Sequence, residues 1–173
     1  MISERTTMTD PLKDLLDKRA LDELIFKTMH ALDARDWPAY RTSFVDDVAF
    51  DFREHGAAPP EARQVITGID NFLALQRAVI EGFDTAQHHV TNMVHTIDGD
   101  KAVTNSYLYA EHFLNNDRGD RSVSLGGRYQ FDSRRYPDGW KIHRQRFYSP
   151  WIRGNPMLYQ IAVEVTSARA AGR

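Results

Sequence analysis

Apolar residues recur at three- and four-residue spacing over the first part of the chain: Leu12, Leu15, Leu16, Leu21, Leu24, Ile25, Met29 and Leu32. That period predicts an amphipathic helix with one buried stripe. Asp10 is its cap and Pro11 its first-turn proline. Asp17 interrupts the stripe and marks a candidate break, and Asp33-Ala34-Arg35-Asp36 marks the end. A short second helix carries Trp37, Tyr40 and Phe44. The period then changes to two, with Val48, Phe50 and Phe52 alternating with Ala49, Asp51 and Arg53, which predicts a strand. Residues 54–64 hold Gly56, Pro59 and Pro60 and read as a loop. Asp70 caps a third helix whose inner face is Phe72, Leu73, Gln76, Val79, Ile80 and Phe83.

Long alternating runs follow at 88–97, 102–114, 122–135 and 140–148. They are separated by Asp98-Gly99-Asp100, by the polar stretch 115–120 and by Pro137-Asp138-Gly139. Asp-Gly between alternating runs is a strong hairpin signal. Pro150 is expected to end the sheet, and 156–168 reads as a terminal helix. Helices followed by an antiparallel meander give an α+β order. We find no repeat and no linker, so 1–173 reads as one domain with frayed ends at about 1–10 and 168–173.

Strict alternation assigns faces. His88, Val90, Asn92 and Val94 share one face of the first long strand; His89, Thr91, Met93 and His95 share the other. Ala102, Thr104, Ser106, Leu108, Ala110 and His112 form a face of small residues with one histidine, suited to the floor of a cavity. Gly127, Tyr129 and Phe131 go together on the third strand. On the last strand Trp140, Ile142, Arg144, Arg146 and Tyr148 go together, a mixture that suggests a polar-lined pocket. His30, His95 and His143 read as surface or interface positions. The face with Met93, Ile97, Tyr107, Tyr109 and Phe113 is apolar enough to predict a homo-oligomer.

Composition narrows the classes. Lys plus Arg is 22 and Asp plus Glu is 24, a formal charge of −2, which offers no bulk attraction to nucleic acid or to an anionic membrane. Cysteine is absent, which removes disulfides and thiolate chemistry. No run has the ~20 apolar residues of a membrane helix, and no signal-peptide pattern is visible. A cytoplasmic protein is expected. The His88-His89 dipeptide alternates faces and no HExxH pattern is present, so no metal is expected.

Four pieces carry a resemblance: Ala31-Leu32-Asp33-Ala34-Arg35-Asp36-Trp37, Gln87-His88-His89-Val90-Thr91-Asn92, Asp98-Gly99-Asp100-Lys101-Ala102 and Asp138-Gly139-Trp140-Lys141-Ile142. In this order and spacing they resemble SnoaL-like proteins of the NTF2-like superfamily, over about residues 15 to 148. The nearest catalytic pattern is that of the scytalone dehydratases. The resemblance implies a cone-shaped barrel in which N-terminal helices close a pocket on a curved sheet, and cofactor-free elimination. It places Asp33 as the residue orienting the catalytic histidine, His88 as that histidine, and His112 as a second pocket histidine. Tyr129 falls near a pocket asparagine. Phe52, Leu32 and Thr28 stand where relatives carry tyrosine. Resemblance to trimeric dehydratases favours a homotrimer over a homodimer.

The chemistry is consistent with those types. Removing a proton beside a carbonyl or aromatic system needs a base effective near neutral pH, which histidine supplies. A carboxylate on its other nitrogen fixes the tautomer. His112, Tyr129 or Arg144 is a candidate to assist the leaving group. Phe52, Asn92, Leu108, Phe131 and Trp140 are candidate substrate contacts. The function expected is a cofactor-independent lyase, a dehydratase above all, acting on a hydrophobic cyclic or aromatic small molecule. The alternatives are an isomerase or polyketide-cyclase-type enzyme, and a non-catalytic small subunit of a ring-hydroxylating dioxygenase.

Overall fold

The Asp10 carboxylate accepts the Leu12 N–H at 3.0 Å and opens α1 (Pro11–Asp33) in the computed structural model, which describes residues 10–56 and 63–172. α2 (Trp37–Thr42), β1 (Phe44–Asp51), β2 (Val65–Thr67), α3 (Ile69–Ile80), β3 (Thr85–Asp98), β4 (Lys101–Phe113), β5 (Ser122–Tyr136), β6 (Gly139–Gly154) and α4 (Leu158–Ala170) follow. The expected α+β order is present. The six strands form one curved sheet in the order β2-β1-β6-β5-β4-β3, antiparallel except where β1 runs parallel to β6.

The core lies between the helices and one face of the sheet. Ile25, Met29 and Leu32 from α1, Tyr40 from α2 and Phe72 from α3 meet Phe50, Leu108, Phe131 and Ile142 from the strands. Phe50 and Phe72 stack with ring centres 3.4 Å apart. Gly82, just after α3, is required by close approach: a Cβ there would stand 1.9 Å from the Ala162 carbonyl oxygen of α4. That contact seats α4 against the end of α3.

Several expectations change, each for a local reason. α1 is continuous through Asp17, which is buried and paired with Arg135 and Lys13 instead of breaking the helix. Leu12, Leu15 and Leu16 are about 60% exposed, because the first turns of α1 are not covered by the sheet. Phe44 opens β1 instead of closing α2. β2 is a short strand with no alternation long enough to have announced it. Gly68, with φ 90°, is the cap residue of α3, and Asp70 lies inside the first turn, paired with Arg41. Pro150 does not end the sheet. β1 pairs with β6 only as far as Arg146, so Pro150 sits on a free edge beside an irregularity in the β5 pairing, where its missing N–H is tolerated. The N-terminal frayed end lies outside the described residues apart from Asp10, as does residue 173. At the other end α4 stays helical to Ala170.

Two bulges change the face assignments. Thr91 pairs with Tyr107 but Val94 pairs with Asn105, so β3 carries one extra residue at Asn92-Met93. Asn92 adopts φ 54° to allow it. From there Met93, His95 and Ile97 turn inward and Val94 turns out, the reverse of simple alternation. On β6, Asp132 pairs with Arg144 and Ser133 with Ile142, leaving His143 as the extra residue. Gln145, Phe147 and Ser149 therefore face the core, while Arg144, Arg146 and Tyr148 do not.

A left-handed residue at the bulge makes a testable demand. Asn92→Gly is expected to preserve stability, whereas Asn92→Val is expected to cost about 1–2 kcal/mol, the usual penalty for forcing a Cβ-branched residue into this region. Urea melts of the two variants measure the difference.

Candidate active site

Asp33 is the last residue of α1, and β3 holds its carboxylate twice. The His88 backbone N–H donates to Oδ2 at 2.9 Å, and His88 Nδ1 lies 2.7 Å from Oδ1. A carboxylate only accepts, so Nδ1 carries the proton and Nε2 keeps its lone pair. An anion at a helix C-terminus is opposed by the helix dipole by about 0.3–1 kcal/mol. Hydrogen bonds to a charged group contribute about 1.5–3 kcal/mol each, so the two bonds outweigh that opposition. The chain end is fixed as well. Asp36 N–H bonds the Ala31 carbonyl at 2.8 Å and Arg35 N–H bonds that of Leu32 at 3.1 Å, a Schellman closure. Arg35 takes φ 57° there, and its guanidinium caps the end of α3 through the carbonyls of Ile80 and Phe83.

His88 is on the inner face, its side chain 7% exposed, and His89 points the other way. A groove of about 590 Å³ between α1 and β3 reaches the pair, lined by Met29, His30, Asp33, Ala86, His88 and Val90. The His112 ring stands edge-on to the His88 ring at 5.3 Å and is packed against Phe83 at 4.8 Å. The Tyr159 hydroxyl of α4 lies 3.4 Å from His112 Nδ1. Burial, and then the neighbouring His88 charge, push the His112 pKa down to about 3, against the opposing pull of the Val123 carbonyl and Asp33. His112 is therefore a neutral hydrogen-bonding ring at physiological pH and cannot act as an imidazolium acid.

Tyr129 is buried on β5. Burial, and then the charges of Tyr159 and Asp33, raise its pKa, so the hydroxyl keeps its proton. Tyr40 is raised in the same way, by burial and then by Tyr129. Among the described residues neither hydroxyl has a hydrogen-bond partner. The same holds for two buried atoms close to Tyr129: Ser106 Oγ, directly across from it on β4, and Gln145 Oε1 on β6, two residues along from its partner Phe147.

The remaining sequence candidates divide. Phe52 lies at the rim, 5.9 Å from Phe72 and 6.0 Å from Phe147, whose ring is 5.2 Å from Tyr129. Leu108 and Phe131 are buried on the same inner face. Asn92 is turned outward by the bulge. Arg144, expected in the site, is turned away from the core by the β6 bulge and bonds Asp51 at 2.7 Å. Trp140 packs with Leu21 and Ala102 beneath the Arg135 guanidinium. Leu21 is twelve residues from Asp33 along α1, about 18 Å at the helical rise, so Trp140 stands far from the pair. Thr28 is spent on the Leu24 carbonyl and Ser43 Oγ. His95 is not a surface residue: its side chain is 7% exposed, with Thr104 Oγ1 on one nitrogen and Asp22 Oδ1 on the other, each at 2.8 Å. Among the described residues no group of three His, Asp or Glu side chains is placed to hold a metal ion. Sequence reasoning missed Tyr159, Tyr40 and Gln145. The first two lie on helices read only for their apolar spacing, and the β6 bulge hid the third.

The SnoaL-like domain model matches residues 13–146. The chain belongs to the SnoaL-like family. Its NTF2-like fold recurs in solved structures. The Kfla4162 protein of Kribbella flavida is 23% identical, with a TM-score of 0.75 over 85% of this chain and 99% of its own. A candidate scytalone dehydratase of Novosphingobium aromaticivorans is 20% identical, with a TM-score of 0.73 over 84% and 92%. The hexachlorocyclohexane dehydrochlorinase LinA-type3 of Novosphingobium barchaimii is 16% identical, with a TM-score of 0.69 over 85% and 95%. At these identities the likeness shows the fold alone. No curated protein sequence matches the chain.

The buried neutral His112 has a consequence for stability. Its pKa is lower folded than unfolded, so the unfolded chain binds the proton first as pH falls. The penalty sets in below the unfolded value of ~6.5 and grows down to about 3. Between pH 7 and 5 it amounts to about 2 kcal/mol. His112→Gln is expected to remove most of that loss, read as the difference between urea midpoints at the two pH values.

Proposed function

We propose that the protein is a cofactor-independent lyase acting on a hydrophobic cyclic or aromatic small molecule, dehydration being the favoured reaction. The observation that carries this reading is the doubly held Asp33–His88 pair, which leaves Nε2 of a buried imidazole free to accept a proton. His88 Nε2 takes the proton from carbon. The C–H electron pair becomes the new double bond, and the leaving group departs with its own pair. Asp33 stabilises the imidazolium formed. Tyr129 and Tyr159, both kept protonated by burial, are the candidate donors to the departing oxygen. The Tyr159 hydroxyl stands 3.4 Å from His112 Nδ1. Membership of a family with named dehydratase and dehydrochlorinase relatives supports the same class. An isomerase would use the same base but return the proton to carbon.

Hydroxylated and halogenated cyclic compounds incubated with the protein, with products identified by mass spectrometry, test the reaction class. Loss of water or of hydrogen halide is expected; a product of unchanged mass would mean isomerisation. On any substrate found, His88→Ala is expected to lower kcat by about 10²–10⁴. Asp33→Asn is expected to lower kcat more than it raises KM. The Asn amide would donate to Nδ1 and move the ring proton to Nε2, removing the free lone pair. Near-normal turnover in a folded His88→Ala protein contradicts the mechanism.

The outer face of the sheet bears on assembly. Val94, Tyr107, Tyr109, Phe113 and Trp151 are 43–63% exposed there. Met93 and Ile97, expected on this face, are turned inward by the β3 bulge, and Val94 and Trp151 take their place. We propose that this face joins copies of the chain as a homotrimer or homodimer. Sedimentation at micromolar concentration is expected to show the oligomer, and Tyr107→Glu to dissociate it. A monomeric wild-type protein contradicts it.

A further inference from the structure

Away from the site a second aspartate on α1 holds a second histidine on β3. His95 Nε2 lies 2.8 Å from Asp22 Oδ1, and its Nδ1 lies 2.8 Å from Thr104 Oγ1. A carboxylate only accepts, so Nε2 carries the proton and the neutral ring accepts the Thr104 hydroxyl at Nδ1. This is the opposite tautomer from that of His88. Carboxylate, imidazole and hydroxyl in line is also the order of an activated nucleophile, but Thr104 is 0% exposed, so its oxygen is closed to a substrate. The His95 side chain is 7% exposed and that of Asp22 30%. Among the described residues this is the one polar tie between α1 and β3 besides Asp33–His88.

The spacings of the two ties match. Asp22 and Asp33 are eleven residues apart on α1. That is three full turns to within about 20°, so both carboxylates leave the helix on one side, about 16 Å apart. His88 and His95 are seven residues apart on β3. Seven is odd, and in a regular strand the two rings would stand on opposite faces. The extra residue at Asn92-Met93 restores the parity and sets His95 opposite Thr104 on the inner face. With that residue discounted the strand advances about 20 Å, within side-chain reach of the helical spacing.

Apolar contacts between a helix and a sheet are non-directional and resist axial sliding weakly. Hydrogen bonds have a narrow range of length and angle. Asp17 ties α1 to Arg135 on β5, whereas Asp22 ties it to the strand that carries His88. Setting register is the best-attested use of a buried polar contact. A displacement of about 1 Å at Asp33 is enough to spoil its alignment with the His88 ring.

We propose that Asp22 and His95 are positioning residues: their contact fixes α1 along its axis so that Asp33 meets His88, and the β3 bulge brings His95 round to make that contact. This rests on the lyase reading only for what the placement serves; the placement of the His88 ring stands or falls separately.

Nitrogen-15 NMR of the histidine rings in the ligand-free protein is the test. In the native protein His95 is expected to be protonated on Nε2 with a bare Nδ1. Asp22→Ala is expected to lose the Nδ1-protonated pattern of His88 and to give a mixture of the two tautomers. A contact that only stabilised the fold would lower the melting temperature and leave the His88 signals in place. Asp22→Glu keeps the charge and lengthens the arm by one methylene. It is expected to shift the His88 ring signals, and it decides the question if Asp22→Ala does not fold. The measurement needs no substrate: if no elimination is found and the His88 ring still follows residue 22, the lyase reading fails and the positioning holds. A native His95 protonated on Nδ1 overturns the assignment. So do His88 signals unmoved in folded Asp22→Ala or, where that variant does not fold, in Asp22→Glu.

Discussion

A single carboxylate at the end of one long helix organises the site. Asp33 stands where the helix dipole disfavours negative charge, and the two bonds from His88 offset that opposition. Those bonds tie α1 to β3 at one point and orient one imidazole. They use the backbone as well as the ring, so the carboxylate holds the strand in register while it sets the tautomer. What surrounds the pair follows from that geometry: a strand face that turns His88 inward, a helix closure that ends α1 at this residue, and a fourth helix that brings Tyr159 to the neighbouring histidine.

Much of this was legible in the chain. Apolar spacing marked α1 and α3, Asp-Gly turns marked the hairpins, alternation separated His88 from His89 and put His112 on a cavity face, and the family resemblance singled out His88. Alternation failed beyond each bulge, for a physical reason. A bulge is one extra residue whose cost depends on the partner strand, and neither His143 nor Asn92 announces it locally, although asparagine is well suited to the left-handed backbone it adopts. The misplaced faces follow from those two positions: Asn92, Met93, Val94, His95 and Ile97 on β3, and Arg144, Arg146 and Tyr148 on β6. Long-range polar contacts such as Asp22 with His95, seventy-three residues apart, were not readable from spacing at all.

The bulges also divide the molecule by function. On β6 the shift sends Arg144 to Asp51 and Arg146 to Asp132, outside the core, and admits Gln145 and Phe147 instead. Among the described residues β6 therefore turns no arginine toward the core. A neutral His112 and protonated tyrosines then provide hydrogen bonds without charge beside the Asp33 carboxylate.

The central claim is that Asp33 holds His88 with the proton on Nδ1 and the lone pair on Nε2. Nitrogen-15 NMR of the ring, with the two-bond couplings that distinguish the tautomers, measures this directly. For the neutral ring the account predicts a protonated Nδ1 and a bare Nε2 in the native protein, and a shift of the proton to Nε2 in Asp33→Asn. A native His88 protonated on Nε2, or a tautomer unmoved by Asp33→Asn, would contradict it.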